Sequence, residues 1–208
     1  MSRAPEKLTL RDLKTQFQLT ASTEPTFFPE WHQNLPSLSA WEHQRLDRIY
    51  ATYENLTEDD LMEETLKLAI VSPLLDLADF FLPPFRVSAE EQIQLSFTET
   101  STTYRGKIDI LVLKQQIWLL VIESKRQAFS LSVGIPQALT YMLAQPIQQI
   151  PKSLYGMVTN GSNFVFIKLV NQTGNVQYAK SNELLMEKSD DRIQILQILK
   201  QIGQNCQD

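Results

Sequence analysis

The chain is nearly free of the residues on which several classes of enzyme depend. One cysteine, Cys206, occurs among 208 residues, so an internal disulfide and a cysteine-based zinc site are excluded. The two histidines, His32 and His43, both lie in the N-terminal region, which argues against a histidine-based nuclease or a serine–histidine hydrolase. Any metal site is therefore expected to use oxygen ligands.

Long apolar runs and nucleotide-binding loops are also missing. No run of about 18 apolar residues occurs, and the polar N-terminus lacks the apolar core of a signal peptide. No Gly-x-x-x-x-Gly-Lys-Ser/Thr loop is present, so binding of a nucleoside triphosphate is not expected. We therefore expect a cytoplasmic protein that has no membrane association and does not translocate DNA by itself.

Length and composition are typical of one globular unit. The chain is 43% hydrophobic, which is enough to bury one sizeable core. The N-terminal region is polar and interrupted by proline, and Phe27, Phe28 and Trp31 are expected to pack onto the body of the protein. We predict an N-terminal extension over residues 1–56, packed on a domain over residues 57–208.

Positive charge is scarce overall but concentrated locally. The net charge of −5 argues against a sequence-independent DNA coat, because such a protein relies on Lys and Arg to neutralise phosphates. Between Tyr104 and Gln127, five basic residues outnumber two acidic ones, a local surplus of three positive charges. This surplus is consistent with a phosphate backbone at one face of the segment, although surplus charge on a solvated surface is common.

Three charged residues stand in two strand-like runs that should otherwise be apolar. The runs flank residues 114–116, a plausible tight reversal, and contain Asp109, Glu123 and Lys125. Charges at the edge of a buried hairpin are costly unless they are paired or bind a cation. A divalent metal is the natural way to offset that cost.

Paired strands would bring these three side chains together. Side chains alternate across a strand, so Glu123 and Lys125 share a face, about 7 Å apart. In a hairpin, Asp109 falls beside Glu123 within about one residue of register. Carboxylate oxygens suit Mg²⁺, which can activate a water for attack on a phosphate. Lys125 would steady the attacking hydroxide or the phosphate, and this chemistry is phosphodiester hydrolysis.

The spacing resembles a known nuclease motif. Asp109, a spacer of about a dozen residues and then Glu123-Ser124-Lys125 are similar to the PD-(D/E)xK nuclease superfamily, with Ile108 in the loosely kept proline position.

A second element adds to the resemblance. Gln137 and Tyr141 are similar to the Q-x-x-x-Y element that follows the strand motif in exonuclease-like and type I restriction members of that superfamily. They are four residues apart and share a helix face, and Pro136 fits the first turn of that helix. The likeness is to the N-terminal nuclease domain of type I restriction enzyme R subunits, over roughly residues 55–170.

This resemblance implies an α/β fold with a restriction-endonuclease-like core of order αβββαβ, in which helices flank a central mixed sheet. It implies a Mg²⁺-dependent endodeoxyribonuclease of DNA restriction or defence, in which Mn²⁺ can substitute. DNA is the implied partner, together with either a second copy of the chain in a homodimer or a partner that supplies specificity and motor action.

The resemblance also assigns roles to individual residues. The implied catalytic residues are Asp109, Glu123, Lys125 and Gln137. The implied metal ligands are Asp109, Glu123, Glu64 and the backbone carbonyl of Ser124. The residues expected to face nucleic acid are Arg105, Lys107, Arg126 and Tyr141.

The family pattern expects an acidic residue on a helix before the first core strand. Residues 57–71 are predicted to form that helix, with Thr57 as N-cap and acidic residues in the first turn. Glu64 borders the predicted inward face, four residues before Leu68, whereas Glu63 points more towards solvent. Glu64 is therefore the predicted carboxylate, with Glu63 as the alternative.

Periodicity and turn residues predict the remaining elements. A helix is expected from Ser39 to Tyr50, and the helix from Thr57 should end near Ser72-Pro73. Further predictions are a short helix over residues 74–81, a half-exposed strand over 92–98, a hairpin over 154–169 that turns at Asn160-Gly161, and a helix over 190–202 with Ile193, Leu196, Leu199 and Ile202 inward.

Two alternatives to a nuclease remain open from the residues alone. A retained nuclease fold could bind nucleic acid without cutting it. The charged hairpin could also be purely structural in a protein that serves interactions, and such a protein would show no metal-dependent thermal shift. The sequence does not decide between DNA and RNA as the substrate.

Overall fold

Nine strands in the described residues form one mixed sheet at the centre of the molecule. The structure is a computed structural model that describes residues 2–3, 8–58, 61–97, 102–114, 117–126, 130–145, 153–172 and 175–205. The strands are β1 (Ser2–Arg3), β2 (Thr20–Ala21), β3 (Phe85–Phe97), β4 (Thr102–Lys114), β5 (Ile117–Ser124), β6 (Leu154–Thr159), β7 (Asn163–Gln172), β8 (Asn175–Lys180) and β9 (Leu184–Leu185).

The sheet is mixed because three of its pairings are parallel. The main strand order is β1–β4–β5–β6–β7–β8–β2, with β3 beside β4 and β9 beside β7. The β1–β4, β5–β6 and β8–β2 pairs are parallel, and the others are antiparallel. Helix α5 connects the parallel strands β5 and β6, as a crossover between parallel strands requires.

Helices cover both faces of this sheet. They are α1 (Leu10–Gln16), α2 (Ala40–Thr57), α3 (Glu63–Leu66), α4 (Ser72–Leu77), α5 (Leu131–Ala144) and α6 (Ser189–Gln204). A π-helical segment (Lys67–Val71) joins α3 directly to α4, and a 3-10 turn spans Pro29–Trp31. The expected α/β class, with helices on both sides of a central mixed sheet, is confirmed. None of the described helices is long and apolar enough to cross a membrane.

Two apolar clusters fill the two faces of the sheet. Strand alternation sends Ile110 and Ile122 towards the cluster under α2, α4 and α6, and sends Leu111 and Val121 towards the cluster under α1 and α5. Phe28 is buried in the first cluster, and Phe27 and Trp31 pack against it, as predicted. The helix with the Q-x-x-x-Y element, α5, therefore lies on the face of the sheet opposite α2, α4 and α6.

The helix predicted over residues 57–71 begins later than the sequence indicated. Thr57 is the last residue of α2, where its hydroxyl donates to the Glu54 carbonyl, and it is not an N-cap. The predicted helix from Ser39 does begin there, because Ser39 and Glu42 form a capping box. The following helix starts only at Glu63.

The predicted stop at Ser72-Pro73 is also wrong, because helix continues to Leu77. The π-helical segment precedes the proline, and the backbone N–H of Ser72 donates to the Lys67 carbonyl, five residues back. Pro73 then stands at the start of α4, where its missing N–H is tolerated. The short helix predicted over residues 74–81 is this continuation, and it ends at Leu77.

The predicted hairpins are confirmed. The β4–β5 pair encloses residues 115–116, and the β6–β7 pair turns through Asn160 and Gly161, whose φ of 87° lies in the left-handed region. The strand predicted over residues 92–98 is longer and starts at Phe85. Helix α6 buries Leu196, Leu199 and Ile202 as expected, with Ile193 partly buried. The sequence reading missed α1 and β8.

Candidate active site

Asp109 lies at the open end of the β4–β5 hairpin, next to the pair formed by Ile110 and Ile122. It is 7% exposed, and its Oδ2 accepts two hydrogen bonds of 2.7 Å, from the backbone N–H and the hydroxyl of Ser124. Both donors belong to one residue on the neighbouring strand, so the carboxylate is fixed in orientation. The adjacent register, Ile110 opposite Ile122, places Asp109 across from Glu123 as predicted.

Glu123 is the most deeply buried acid of the site. It is 1% exposed, and its Oε1 accepts a hydrogen bond of 2.5 Å from the Lys125 ammonium. Its Oε2 is buried with no hydrogen-bond partner among the described residues. Burial and the nearby charge of Asp109 raise the pKa of Glu123 to about 8, against the opposing charge of Lys125. A buried carboxylate with a vacant oxygen is poised to gain a cation.

Lys125 directly follows the last residue of β5, and its side chain interacts with nearby acids. Its backbone N–H donates to the Thr159 carbonyl at 2.8 Å, which continues the parallel β5–β6 pairing by one residue. Burial acts to lower the pKa of Lys125, but the charge and hydrogen bond of Glu123 outweigh burial and raise it. Lys125 therefore keeps its proton and remains a cation inside the site.

Helix α5 approaches the site very closely at Gly134. A Cβ atom at this position would lie 2.5 Å from Cγ1 of Val158, 3.6 Å from Cγ of Lys125 and 3.8 Å from Cγ of Glu123. Any side chain would therefore push the helix off the strands β5 and β6. The sequence reading did not identify Gly134, and a glycine inside an otherwise apolar helix was the available signal.

The Q-x-x-x-Y pair lies on this helix, one turn beyond Gly134. Gln137 is 5% exposed, and its side-chain amide donates to the Tyr141 hydroxyl at 2.8 Å. Tyr141 is 1% exposed and belongs to the apolar cluster under α5. Its predicted direct contact with nucleic acid does not fit this burial. The hydroxyl of Tyr141 instead accepts a hydrogen bond from the Gln137 amide and fixes its orientation.

The helix carboxylate beside the site is Glu63, and the structure does not bring Glu64 to it. Glu63 is half-buried, and burial and the charge of Asp109 raise its pKa, while Lys125 and Lys67 act to lower it. Glu64 is exposed. Glu63, the alternative residue named from the sequence, thus lies where the helix carboxylate was expected.

The pattern of burial along this helix explains the correction. The buried residue Leu66 follows Glu63 by three positions, and Ile70 follows by seven, so all three share the inward face. Leu68, which the sequence reading used as an inward marker for Glu64, is 76% exposed.

Not all of the residues predicted to contact nucleic acid have side chains that the structure describes. Lys107 and Arg126 are both exposed, and the Lys107 ammonium lies 3.0 Å from Oε1 of Glu90. The side chain of Arg105 lies outside the described residues. A further basic residue was missed: the Lys67 ammonium lies 3.7 Å from Oδ1 of Asp109. Lys67 stands one helical turn after Glu63, and that spacing was its only signal in the sequence.

The residues present fit a divalent metal held by two carboxylates. Asp109 uses one oxygen for Ser124, so Oδ1 remains available, and Oε2 of Glu123 has no hydrogen-bond partner among the described residues. Mg²⁺ commonly takes one or two protein carboxylates and keeps several waters. In the described part of the chain, no group of three or more His, Cys, Asp or Glu residues could hold a metal ion, so two carboxylates would need water for the remaining ligands. The donor set therefore matches a partly hydrated hard cation.

Comparisons with known proteins agree with the resemblance carried by these residues. The family described as "Type I restriction enzyme R protein N terminus (HSDR_N)" matches residues 6–175. No curated protein matches the chain. Among solved structures, it is similar to a fragment described as an HsdR subunit of a type I restriction enzyme from Vibrio vulnificus YJ016, with a TM-score of 0.40 and 20% identity. That similarity covers 57% of this chain and 23% of the other, so the chain spans less than a quarter of that structure.

The family match covers most of the chain, including the hairpin with Asp109 and Glu123 and the helix with Gln137. Similar sequence and a site of matching composition thus converge on one assignment. The chain belongs to the family of type I restriction enzyme R protein N termini.

Proposed function

We propose that this chain is a Mg²⁺-dependent endodeoxyribonuclease that acts as the nuclease part of a type I restriction R subunit. The observation that carries the proposal is the buried meeting of Asp109, Glu123 and Lys125, in which a carboxylate oxygen of Glu123 is left without a hydrogen-bond partner among the described residues. The acids Asp109 and Glu63 beside this oxygen add to the number of acidic groups there, and such a surplus favours a cation.

Each residue has a distinct part in this proposal. Asp109 and Glu123 would hold Mg²⁺, and bound Mg²⁺ supplies a more acidic water and neutralises charge on a phosphate oxygen. Lys125 remains protonated, so it donates hydrogen bonds to the attacking water or to a non-bridging phosphate oxygen. Gln137, fixed by Tyr141, orients a water or a phosphate oxygen at the α5 side of the site. The Ser124 backbone carbonyl stays a predicted ligand.

Glu63 replaces Glu64 as the proposed third acid. Its position near Asp109 and Lys125 suits a carboxylate that accepts hydrogen bonds from metal-bound water. Mn²⁺ is expected to substitute for Mg²⁺, because both ions favour oxygen ligands in octahedral geometry.

The substrate and partners follow from the family. We propose double-stranded DNA as the substrate, and other restriction subunits as the source of specificity and motor action, since the sequence holds no phosphate loop. One site per chain cuts one strand, so cleavage of both strands calls for two copies or two successive nicks.

Plasmid cleavage tests the proposal directly. Supercoiled and linear plasmid would be incubated with the wild type in Mg²⁺, Mn²⁺ and EDTA, beside Lys125→Ala and a matched control, Lys14→Ala, at an exposed lysine of α1. We expect metal-dependent cutting by the wild type and Lys14→Ala, and a loss of at least about 100-fold in Lys125→Ala.

Two results would contradict the proposal. Cutting by Lys125→Ala at the rate of the control would remove the site assignment. Binding of DNA without cutting in either metal, by the chain alone and with restriction subunits added, would favour the non-catalytic nucleic-acid-binding module.

A further inference from the structure

Lys67 is a charged residue of the candidate site that the proposed reaction does not use. Its side chain is 16% exposed, and its ammonium lies 3.7 Å from Oδ1 of Asp109 and 4.0 Å from Oε1 of Glu90. Both separations are longer than a hydrogen bond. Among the residues that the structure describes, the Lys67 ammonium has no acceptor within hydrogen-bond distance. A largely buried ammonium with unused donors favours any anion that reaches it.

The local backbone places Lys67 at the site. Lys67 is the first residue of the π-helical segment and follows Glu63 by one turn, so both side chains face Asp109. Single π turns inside α-helices are rare and occur often at functional sites. The five-residue spacing of this turn widens the helix where Lys67 stands.

Glu90 approaches the same point from the other side, through an unusual backbone. It lies within strand β3 between Ala89, which pairs with Ile110, and Glu91, which pairs with Ile108, so it stands opposite Asp109. Its φ of 58° lies in the left-handed region, which residues with side chains rarely adopt, least of all inside a strand. Such strain persists where the surroundings require it, and it is frequent in binding sites.

The carboxylate of Glu90 is shared between two lysines. Oε1 lies 3.0 Å from the Lys107 ammonium and 4.0 Å from the Lys67 ammonium. A hydrogen bond from Lys107 and the charges of both lysines lower the pKa of Glu90, so it is an anion at neutral pH. One exposed anion therefore stands between two cations at the mouth of the site.

We propose that Lys67 and Lys107 bind one phosphate of the DNA backbone next to the cleavage centre, and that Glu90 occupies the place of this phosphate in the free protein. The inference rests on the proposed function, because it assumes a DNA strand at Asp109. A phosphodiester and a carboxylate each carry one negative charge and oxygens that accept hydrogen bonds from ammonium groups.

The exchange is energetically feasible. An exposed ion pair contributes little to stability, so a phosphate displaces the Glu90 carboxylate at small cost. The phosphate also gives Lys67 the hydrogen-bond acceptor that it lacks among the described residues. Glu90 would thus weaken binding of DNA whose phosphate must displace it from this subsite, and it would act as a positioning residue for both lysines.

The test measures DNA binding without cleavage. The fluorescence anisotropy of a labelled 25-base-pair duplex would be titrated with protein in EDTA at several salt concentrations. The variants are Lys67→Gln, Glu90→Gln and the matched control Glu91→Gln. Glu91 carries the same charge one residue away, but its carboxylate accepts from the Ser88 hydroxyl and not from a lysine.

We expect Glu90→Gln to tighten binding by about threefold relative to Glu91→Gln, as release from an exposed ion pair predicts. Lys67→Gln should weaken binding and reduce the slope of log affinity against log salt by about one, the effect of one lost phosphate contact. The gain from Glu90→Gln should disappear in a Lys67→Gln/Lys107→Gln background, because no lysine is then released.

The outcomes separate this inference from the nuclease proposal. Equal affinities of Glu90→Gln and Glu91→Gln, or an unchanged salt slope in Lys67→Gln, would overturn the phosphate subsite. Neither result would bear on the nuclease proposal, which plasmid cleavage tests separately. A wild type that neither binds the duplex nor cuts plasmid would overturn both. If thermal unfolding shows that Lys67→Gln does not fold, the comparison of the two glutamate variants still decides.

Discussion

The molecule contains two buried glutamate–lysine pairs that look alike at first sight. In the candidate site, the Lys125 ammonium lies 2.5 Å from Oε1 of Glu123, and between the 3-10 turn and β7 the Lys168 ammonium lies 2.6 Å from Oε1 of Glu30. All four residues are buried or nearly so. In both pairs, Oε2 of the glutamate is buried with no hydrogen-bond partner among the described residues. A vacant carboxylate oxygen alone is therefore not diagnostic of a metal site.

The surroundings of the two pairs differ in charge. The Glu30 pair is closed by the Tyr155 hydroxyl, which donates at 2.8 Å, and by the Phe27 ring, whose centroid is 5.9 Å from the Lys168 ammonium. One acid faces one base there, so the cluster is neutral.

The candidate site contains more acids than bases. Around Glu123, the acids Asp109 and Glu63 bring the count to three acidic side chains against two lysines, Lys67 and Lys125. The comparison teaches that a surplus of acidic groups, which can release protons when a cation binds, distinguishes such a site better than a buried ion pair does.

The largest expected difference between the two pairs is in catalysis. Asp109→Asn should lower plasmid cleavage by about 1,000-fold, because it removes a carboxylate from the proposed Mg²⁺ site. Glu30→Gln makes the same kind of change in the neutral cluster and should retain cleavage. Initial rates of plasmid nicking in Mg²⁺ measure both, and similar losses in the two variants would remove the distinction between the clusters.

The second difference is in stability. Lys168→Met should lower the free energy of unfolding by about 3 kcal/mol, because it leaves the Glu30 carboxylate buried without its partner. Replacing both residues, as Glu30→Leu/Lys168→Met, should recover most of this loss. Urea denaturation provides the measurement, with Lys14→Met at an exposed position as the control. A double variant as unstable as the single one would argue against a purely structural pair.

The third difference is in the pH dependence of the metal-free protein. The folded chain keeps a proton on Glu123 up to about pH 8, whereas an unfolded glutamate loses it near pH 4.5. The folded state therefore binds more protons between these values, and stability should fall by about 2 kcal/mol or more as pH rises through this window. Glu63, whose pKa is also raised, acts in the same direction.

Denaturation in EDTA at several pH values tests this dependence. Glu123→Gln should flatten most of the profile, because the substituted side chain does not titrate. A wild-type profile that rises between pH 4.5 and pH 8 would contradict the charge excess in the site.

The smallest expected difference is in stabilisation by metal. Mg²⁺ at ten times its dissociation constant should raise the free energy of unfolding by about 1.4 kcal/mol through mass action. Asp109→Asn and Glu123→Gln should lose this increase, and Glu30→Gln should keep it. Thermal unfolding with and without Mg²⁺ shows the shift, and an equal shift in all variants would place the metal elsewhere.

The sequence was sufficient for parts of the site that depend on local periodicity. Asp109, Glu123 and Lys125 lie in one hairpin, so strand alternation and the tight reversal were enough to bring them together. Gln137 and Tyr141 are joined in the same way by helical spacing. These interactions join residues that are close in the sequence, so their spacing alone indicates that they meet.

Other features could not be predicted, because they depend on a boundary or on distant residues. Glu64 was chosen over Glu63 because Leu68 was expected to face inward, but Leu68 is exposed in the folded protein. The Glu30–Lys168 pair joins residues 138 positions apart, which no local pattern records. Lys67 reaches Asp109 only through the packing of its helix on the sheet.

The hydrogen bonds of Ser124 make the site sensitive to the register of the β4–β5 hairpin. Its two hydrogen bonds to Asp109 come from the residue between Glu123 and Lys125, so three consecutive positions align the whole site against β4. A hairpin paired one residue out of register would turn these side chains to the opposite face and lose every one of these contacts together. A copy misfolded in this way would thus lose the proposed site as a whole and not residue by residue.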